Sequence, residues 1–342
     1  MYEVTVGIPV YKAVDYIVAT MESALAQTYP NIEFLVIDDG GGDGSMALVE
    51  QLQKEHPRGK DIRVLHNEKN LGVGPSRNRI IDEARGNYLY YMDSDDVIEP
   101  YTIELLMNAA KQHRAEVVYA SFEQIDNVSH SAAKQIIYPS LSFDELGGLA
   151  CYAFQHYGFF QSSVCNCLID LYFLRTIKLK FIDAMFWEDM AFTYELVTMV
   201  KRAVLLPDIT YHYLCRPNSL SNYQERAQLK KDEVLKNVST IDYLKWRCRR
   251  LVGKSYTPYM CYNLEMNSFY IVCHVLKHRT RIVPGIPDDD LRQMMQMPMP
   301  LREILRFRHR LLGNIILWTI AKLPTPLFLF AVKMMGRVKK VI

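Results

Sequence analysis

The stretch Asn87-Tyr-Leu-Tyr-Tyr-Met-Asp-Ser-Asp-Asp96 decides how the first part of this 342-residue chain is arranged. Residues 88–92 form an apolar, aromatic run without polar alternation, which is typical of a strand buried on both faces. Three carboxylates follow within four positions: Asp93, Asp95 and Asp96. Like charges at this spacing repel one another, so the cluster favours a divalent counter-ion such as magnesium or manganese. A solvated acidic turn closed by Glu99-Pro100 is the alternative interpretation of this stretch alone.

The residues before this stretch alternate between strand and helix patterns. Strands are predicted at residues 4–10, 32–37 and 62–65, with Pro9 expected to stop the first ladder. Helices are predicted between them, the last one ending near Arg85. Such alternation predicts an α/β domain with right-handed βαβ units and an open, mostly parallel sheet flanked by helices.

Polar or ligand-like residues follow several of these predicted strands. Pro9 and Tyr11 end the first strand, Asp38 and Asp39 end the second, and the acidic cluster ends the fourth. Ligands of open α/β sheets bind beyond the carboxyl ends of the strands, so these residues are expected to line one crevice. A solvated acidic turn would explain only one of these sites.

The residue types in this predicted crevice favour a nucleotide diphosphate. Tyr11 is suited to stack on a base, Asp39 to accept a hydrogen bond from a base or ribose, and Arg77 to bind a phosphate. Structural alternatives remain open for two of them: Tyr11 packed on the next helix, and Arg77 paired with a strand-end aspartate. Gly72 and Gly74 lack the full spacing of a dinucleotide-binding loop.

Several segments between residues 4 and 100 resemble family-2 glycosyltransferases of the GT-A fold, in the family's order and spacing. They are Val6-Gly-Ile-Pro-Val-Tyr11, Ser23-Ala-Leu-Ala-Gln-Thr-Tyr-Pro-Asn-Ile-Glu33, Val36-Ile-Asp-Asp-Gly40, Asp43-Gly44-Ser45, Asn70-Leu-Gly72, Arg77-Asn78 and Met92-Asp-Ser-Asp-Asp96. One departure is Gly41-Gly42, where the family usually has a Ser-Thr-like pair.

The resemblance implies a nucleotide-sugar donor, Mn²⁺ or Mg²⁺, and transfer of the sugar to an acceptor hydroxyl. It implies that Pro9, Tyr11 and Asp39 contact the nucleoside. Asp93 and Asp95 would be the acids of the DXD motif, with Asp95 the direct metal ligand.

An acidic pair further along the chain is the candidate for acceptor chemistry. Glu188 and Asp189 open a predicted helix, where acids also favour the helix dipole, which is the structural alternative. The pair resembles the family's ED motif, which implies that Asp189 is the general base and that Glu188 orients the site or the acceptor. Residues 211–221 resemble the family's closing loop, in which His212 and Arg216 are candidates to hold the departing diphosphate.

The formal net charge of +2 gives no overall nucleic-acid signature, but charge is unevenly distributed. Residues 300–342 contain nine basic residues and the single acid Glu303, a net charge of +8. Two apolar runs there, 311–320 and 327–332, are too short and interrupted to predict a spanning helix. They favour in-plane or re-entrant attachment to anionic lipid. The alternative is a helical pair packed on the catalytic domain or on a second subunit of a homo-oligomer.

These patterns predict three regions: a donor-binding half at residues 1–120, an acceptor-side half at 121–222 and a basic helical region at 223–342. The resemblance implies the function: a metal-dependent, inverting transferase that uses a UDP-sugar and a glycan or lipid-linked acceptor in envelope polysaccharide synthesis. Seven cysteines without a CxxC pair, and no secretory pattern at residue 1, predict a cytoplasmic location. The basic, apolar tail at residues 300–342 adds the inner face of the cell membrane to this prediction. The alternatives are a non-catalytic nucleotide-sugar-binding or membrane-assembly module, and a nucleotidyltransferase, which would need a glycine-rich basic loop after the first strand.

Overall fold

A computed structural model describes residues 2–126, 132–156, 162–184, 187–215 and 228–342. The chain divides into two compact units. We call residues 1–149, 161–183 and 195–217 the sheet unit, and residues 150–160, 184–194 and 218–342 the helical unit. These units do not follow the predicted regions 1–120, 121–222 and 223–342, because two short segments from within the second region group with the C-terminal helices.

The sheet unit begins with the predicted alternation of strands and helices. The strands are β1 (Val4–Val10), β2 (Ile32–Asp38), β3 (Ile62–His66) and β4 (Tyr88–Tyr91). The helices between them are α1 (Ile17–Leu25), α2 (Ser45–Glu55) and α3 (Val73–Glu83). The four strands are parallel, in the order β3-β2-β1-β4. All seven residues of β1 are buried, as expected for a strand covered on both faces.

The rest of the sheet is mixed in direction. The later elements are β5 (Val97–Ile98), α4 (Thr102–His113), β6 (Val117–Asp126), β7 (Ala132–Ile136), β8 (Leu141–Phe143), α5 (Gly148–Gln155), β9 (Cys167–Asp170), α6 (Leu171–Thr176), α7 (Glu188–Met199) and β10 (Ala203–Cys215). The order continues as β4-β9-β6-β10-β5, with β7 beside β6 and β8 beside β10. Strand β9 is antiparallel to both neighbours, whereas β6 and β10 are parallel to each other. The predicted α/β class is confirmed.

Pro9 lies inside β1, so the prediction that it stops the ladder is wrong. The carbonyl of Gly7 accepts a hydrogen bond from Met92 N (3.1 Å), and that of Val10 accepts one from Asp39 N (2.9 Å). Alternate residues of β1 therefore face β4 and β2, which turns Pro9 toward β4. Pairing with β4 ends at Gly7, so the missing N–H of Pro9 removes no bond from the ladder.

The helical unit is built around one long helix. Its C-terminal elements are β11 (Leu229–Lys230), α8 (Lys231–Cys248), α9 (Thr257–Lys277), β12 (Ile282–Val283), α10 (Asp288–Met294), α11 (Leu301–Ile304), α12 (Leu311–Lys322) and α13 (Thr325–Val338). Helix α9 contacts α8, α10, α12 and α13. The predicted helical C-terminal region is thus confirmed. Among the helices in the described ranges, none combines the length and apolar character needed to cross a membrane.

Candidate active site

Asp39 follows β2 and organises the loop that leads into α3. Its side chain is almost fully buried, with 3% of the residue exposed. One carboxylate oxygen accepts hydrogen bonds from Asn67 Nδ2 (2.7 Å) and Leu71 N (2.9 Å), and the other accepts one from Gly72 N (2.9 Å). The structure therefore gives Asp39 a role that the sequence did not predict, since these partners lie about thirty residues away. Its predicted contact with the nucleoside stays a prediction.

The glycine-rich turn after β2 packs closely against the loop after β1. A Cβ atom on Gly41 would lie 2.7 Å from Lys12 N, which is too close for any other residue. Asp43 accepts a hydrogen bond from Val14 N (3.0 Å) and ties the same two loops together. Glycine at position 41 is thus required by packing where the family usually carries a hydroxyl residue. Tyr11 lies in this loop with 45% of its surface exposed, so its ring is accessible to a ligand.

Arg77 pairs with the first acid of residues 93–96, which follow β4 and which we call the DXD turn. Its Nη2 lies 2.8 Å from Asp93 Oδ1, and only 4% of the Arg77 side chain is exposed, against 29% for Asp93. The guanidinium carbon lies 5.6 Å from the centre of the Phe181 ring, and Tyr91 Oη donates to the Arg77 carbonyl (2.9 Å). The structure therefore contains the aspartate pairing that the sequence left open. Binding of Arg77 to a phosphate stays a prediction.

Asp96 anchors the DXD turn to strand β10. The residue is fully buried and accepts hydrogen bonds from Tyr211 Oη (2.5 Å) and Leu214 N (2.9 Å). Tyr211 Oη also accepts one from Asp93 N (3.2 Å). Burial raises the pKa of Asp96 well above its ordinary value, and the nearby charges of Asp95 and Asp93 raise it further. The sequence could not assign Asp96, and the structure assigns it to holding the turn in place.

Asp93 and Asp95 fit a divalent cation shared with a ligand. Both side chains are partly exposed, whereas the Asp96 carboxylate is buried and hydrogen-bonded to Tyr211 and Leu214 of β10. Across the described part of the chain, no group of three or more His, Cys, Asp or Glu side chains is arranged to hold a metal ion. Two carboxylates offer the hard oxygen ligands that Mg²⁺ and Mn²⁺ prefer, and Mg²⁺ commonly completes its coordination with phosphate oxygens and water. The donor set therefore suits a cation that binds together with a diphosphate.

His212 bridges two carboxylates near the end of β10. Its Nδ1 lies 2.9 Å from Glu123 Oε1 and its Nε2 lies 2.9 Å from Glu99 Oε1. The two acids come from β6 and from the end of β5, so the ring links three neighbouring strands. Both nitrogens face acidic groups, which repel a diphosphate, and the predicted diphosphate contact of His212 stays a prediction. Arg216 and the rest of the predicted closing loop beyond Cys215 lie outside the described residues.

Glu188 and Asp189 occupy the first turn of α7, in the part of that helix that belongs to the helical unit. Glu188 is buried, with 6% of the residue exposed, and Asp189 is partly exposed. Met190 N donates to Asp189 Oδ1 (2.7 Å). Their position matches the predicted helix start, where acids also interact favourably with the helix dipole.

Comparison with known proteins supports the interpretation of the first half of the chain. Residues 5–169 match the profile of the family described as Glycosyl transferase family 2. Glycosyltransferase GlyG of Streptococcus pneumoniae is 33% identical over 123 residues, which cover 36% of this chain and 40% of GlyG. The chain thus spans less than half of that relative. Succinoglycan biosynthesis protein ExoO of Rhizobium meliloti is 26% identical over 315 residues, covering 88% of this chain and 86% of ExoO.

The fold has a close counterpart among solved structures. The crystal structure of S. aureus TarS 1–349 in complex with UDP-GlcNAc superimposes with a TM-score of 0.65. The match covers 94% of this chain and 90% of that one, at 16% sequence identity. At this identity the likeness concerns the fold alone, and it confirms the predicted GT-A type of α/β architecture.

Proposed function

Residues 5–169 of this chain belong to glycosyl transferase family 2, and we propose that the protein transfers a sugar from a nucleotide diphosphate to a hydroxyl group. The observation that carries the proposal is the adjacency of three strand ends in the parallel part of the sheet. Val10 at the end of β1 pairs with Asp38 at the end of β2, and β4 lies on the other side of β1, where it leads into the DXD turn. Ligands of such sheets bind at this edge.

The proposed donor is a UDP-sugar held with Mn²⁺ or Mg²⁺. Asp95 and Asp93 would hold the cation, which when bound supplies positive charge to the diphosphate leaving group. The Arg77 ion pair sets the orientation of Asp93. The Tyr211 hydroxyl bonds to Asp93 N and to the Asp96 carboxylate, and so holds the backbone on both sides of Asp95. The TarS structure is a complex with UDP-GlcNAc, which supports the choice of UDP.

The proposed acceptor reaction is a single displacement with inversion at the anomeric carbon. Asp189 would take the proton of the acceptor hydroxyl as its oxygen bonds to that carbon and the bond to the diphosphate breaks. Asp189 is partly exposed and Glu188 is buried, so Asp189 is the acid that an acceptor can reach, and Glu188 would position it. Pro9, Tyr11 and Asp39 would contact the nucleoside, and His212 and Arg216 would act on the departing diphosphate.

The proposed acceptor is a glycan or lipid-linked hydroxyl in envelope or surface polysaccharide synthesis. The name of ExoO, a succinoglycan biosynthesis protein that aligns with 88% of this chain, supports that class of product. A membrane-bound acceptor would place the protein at the inner face of the cell membrane, in peripheral contact through residues 300–342.

Donor binding and transfer can be tested separately. The purified protein is mixed with a panel of UDP- and GDP-sugars and Mn²⁺, and thermal shift and nucleotide release are measured. We expect at least one nucleotide-sugar to stabilise the protein in a metal-dependent manner, and Asp95→Ala to abolish that dependence. Asp189→Asn should keep the donor-induced shift but lose about 10²–10⁴-fold in release and transfer.

The matched control is Asp144→Asn, which neutralises an exposed acid outside the site and should behave as the unaltered protein. A chain that no UDP- or GDP-sugar stabilises would refute the donor site. Stabilisation without nucleotide release would favour the non-catalytic binding module. Transfer at the native rate by Asp189→Asn would remove that residue from the role of base.

A further inference from the structure

Helices α12 and α13 expose large apolar side chains on their outer faces. Six such residues are between 45% and 81% exposed: Leu312, Ile316, Leu327, Phe330, Met334 and Val338. They fall within the last thirty-one residues of the chain. A cluster of this kind on a protein surface marks an interaction site more often than scattered apolar residues do.

Helix α13 is apolar on two different faces. Phe328, Val332 and Gly336 recur every four residues and are buried against the rest of the helical unit. Leu327, Met334 and Val338 lie on another face, because seven and eleven residues correspond to about two and three full turns. Packing within the chain therefore accounts for the first face and leaves the second exposed. A surface helix normally presents polar side chains on its outer face.

The segment that carries this apolar surface is also rich in exposed positive charge. The residues after Leu305 contain eight basic side chains and no acid, and all eight are exposed: Arg306, Arg308, Arg310, Lys322, Lys333, Arg337, Lys339 and Lys340. Lys333 and Arg337 lie one turn apart on α13 and flank Phe330 and Met334. Since the whole chain carries only +2, the other residues sum to −6.

We propose that the outer faces of α12 and α13 form a docking surface for an anionic lipid bilayer. Phe330, Leu327, Met334 and Val338 would insert at the level of the headgroups, and the basic side chains would bind lipid phosphates. The binding of an amphipathic helix to a membrane strengthens with the apolar area that it buries and with its electrostatic attraction to anionic lipids. This inference rests on the peripheral membrane contact proposed above and names its surface, but it can hold whether or not the chain transfers a sugar.

The geometry favours a helix lying in the plane of the membrane. Helix α13 has 14 residues and is about 21 Å long, shorter than the roughly 30 Å of a hydrocarbon core.

A second copy of the chain fits this surface less well than a lipid bilayer does. A two-fold interface places the same patch on itself, so that eight positive charges would face eight others.

Vesicle flotation with the full chain tests the proposal. The protein is mixed with phosphatidylcholine vesicles or with vesicles that also contain phosphatidylglycerol, at low and at high salt. We expect binding to the anionic vesicles only, weakened by salt. Phe330→Gln/Val338→Gln should reduce the partition coefficient at least about tenfold, and Lys333→Gln/Arg337→Gln about 30-fold.

Matched controls separate this surface from general hydrophobicity and charge. Phe330 and Val338 are 63% and 81% exposed, and Leu146 and Tyr172 elsewhere are 62% and 82% exposed. Leu146→Gln/Tyr172→Gln should therefore float as the unaltered chain does. Lys54→Gln/Lys60→Gln removes two exposed cations of another region and should also leave flotation unchanged. Thermal unfolding of each variant checks that it is folded.

Four results would overturn the proposal. The first is that the chain does not bind anionic vesicles, and the second is that it binds neutral vesicles equally well. The third is that the test variants and the control variants lose binding to the same extent. The fourth is that the chain forms an oligomer without lipid, which Phe330→Gln/Val338→Gln converts to a monomer. Sedimentation without lipid provides the last measurement.

Discussion

Asp96 and Tyr211 illustrate how single residues hold the candidate site together. The carboxylate is fully buried, and the Tyr211 hydroxyl both donates to it and accepts from Asp93 N. Removing one partner leaves the other buried without its hydrogen bond, which generally costs more than the bond itself contributes. The position of the DXD turn therefore depends on a residue 115 positions away.

We expect Tyr211→Phe and Asp96→Ala each to lower the free energy of unfolding by about 1–3 kcal/mol. Because the two side chains share one hydrogen bond, the double variant should lose less than the sum of the single losses. Chemical denaturation of the three variants measures this coupling. Strictly additive losses would contradict the coupling proposed between Tyr211 and Asp96.

His274, near the end of α9, gives the protein a dependence on pH. Burial, together with the smaller effects of nearby His278 and basic residues, lowers the pKa of His274 to about 4. The unfolded chain has the ordinary value of 6.5. A depressed folded-state pKa contributes stability that is present above pH 6.5 and is lost as pH falls toward 4. His274→Gln removes this pH-dependent contribution to stability.

The free energy of unfolding of the unaltered protein should therefore fall more steeply between pH 6.5 and 4 than that of His274→Gln. Urea denaturation at several pH values in this window measures the difference. His113→Gln replaces an exposed histidine and serves as the control. Parallel pH profiles for the unaltered protein and His274→Gln would contradict the assignment.

At the scale of elements, one buried ion pair joins three helices of the helical unit. Lys245 Nζ on α8 lies 2.9 Å from Glu265 Oε2 on α9 and donates to the carbonyl of Met294 on α10 (2.9 Å). The side chains of Lys245 and Glu265 are 3% and 0% exposed. A buried pair contributes modest net stability, but breaking it leaves a buried charge without compensation.

Lys245→Met should lower the free energy of unfolding by about 3–5 kcal/mol, because Glu265 then lacks its counter-charge. Lys245→Met/Glu265→Leu should recover most of that loss, since neither charge remains. Lys231→Met is the control, because its 3.9 Å pair with Asp290 is more exposed and should contribute less than about 1 kcal/mol. Thermal or urea unfolding provides the measurement, and a double variant as unstable as Lys245→Met would refute the account.

At the scale of the whole molecule, segments 150–160 and 184–194 belong to the helical unit although they lie between segments of the sheet unit in sequence. Phe154 on α5 has its ring 6.0 Å from that of Tyr256, and its carbonyl accepts a hydrogen bond from Asn263 Nδ2 (2.8 Å). The helical unit is therefore not a separable C-terminal domain. The candidate base Asp189 belongs to one of these inserted segments.

A fragment of residues 1–217 should consequently be less stable than the full chain, because α5 and the start of α7 lose their partners. We expect a lower melting temperature and increased binding of a hydrophobic dye. Asn263→Ala in the full chain removes only the bond to the Phe154 carbonyl and should cost about 1–3 kcal/mol. A fragment that melts as the full chain does, without binding dye, would show that the sheet unit folds independently.

The positions of the early strands and helices could be predicted from the sequence, because apolar periodicity and turn residues act locally. Strands β1 to β4 lie within one residue of their predicted bounds. The sequence was less informative for residues whose hydrogen-bond and packing partners lie far away along the chain. Pro9 was expected to stop its strand, and the partners of Asp39, Asp96 and His212 could not be inferred.

The sequence by itself determined the α/β class, the order of the first four strands along the chain, and the presence of acids after two of them. Only the tertiary structure decided which acids are exposed and which are buried. Asp93 and Asp95 are partly exposed, whereas Asp96 is buried and hydrogen-bonded to residues of β10. The physical reason is that burial and hydrogen bonding depend on the strand that packs alongside. That strand follows the DXD turn by more than a hundred residues, beyond the reach of any local pattern.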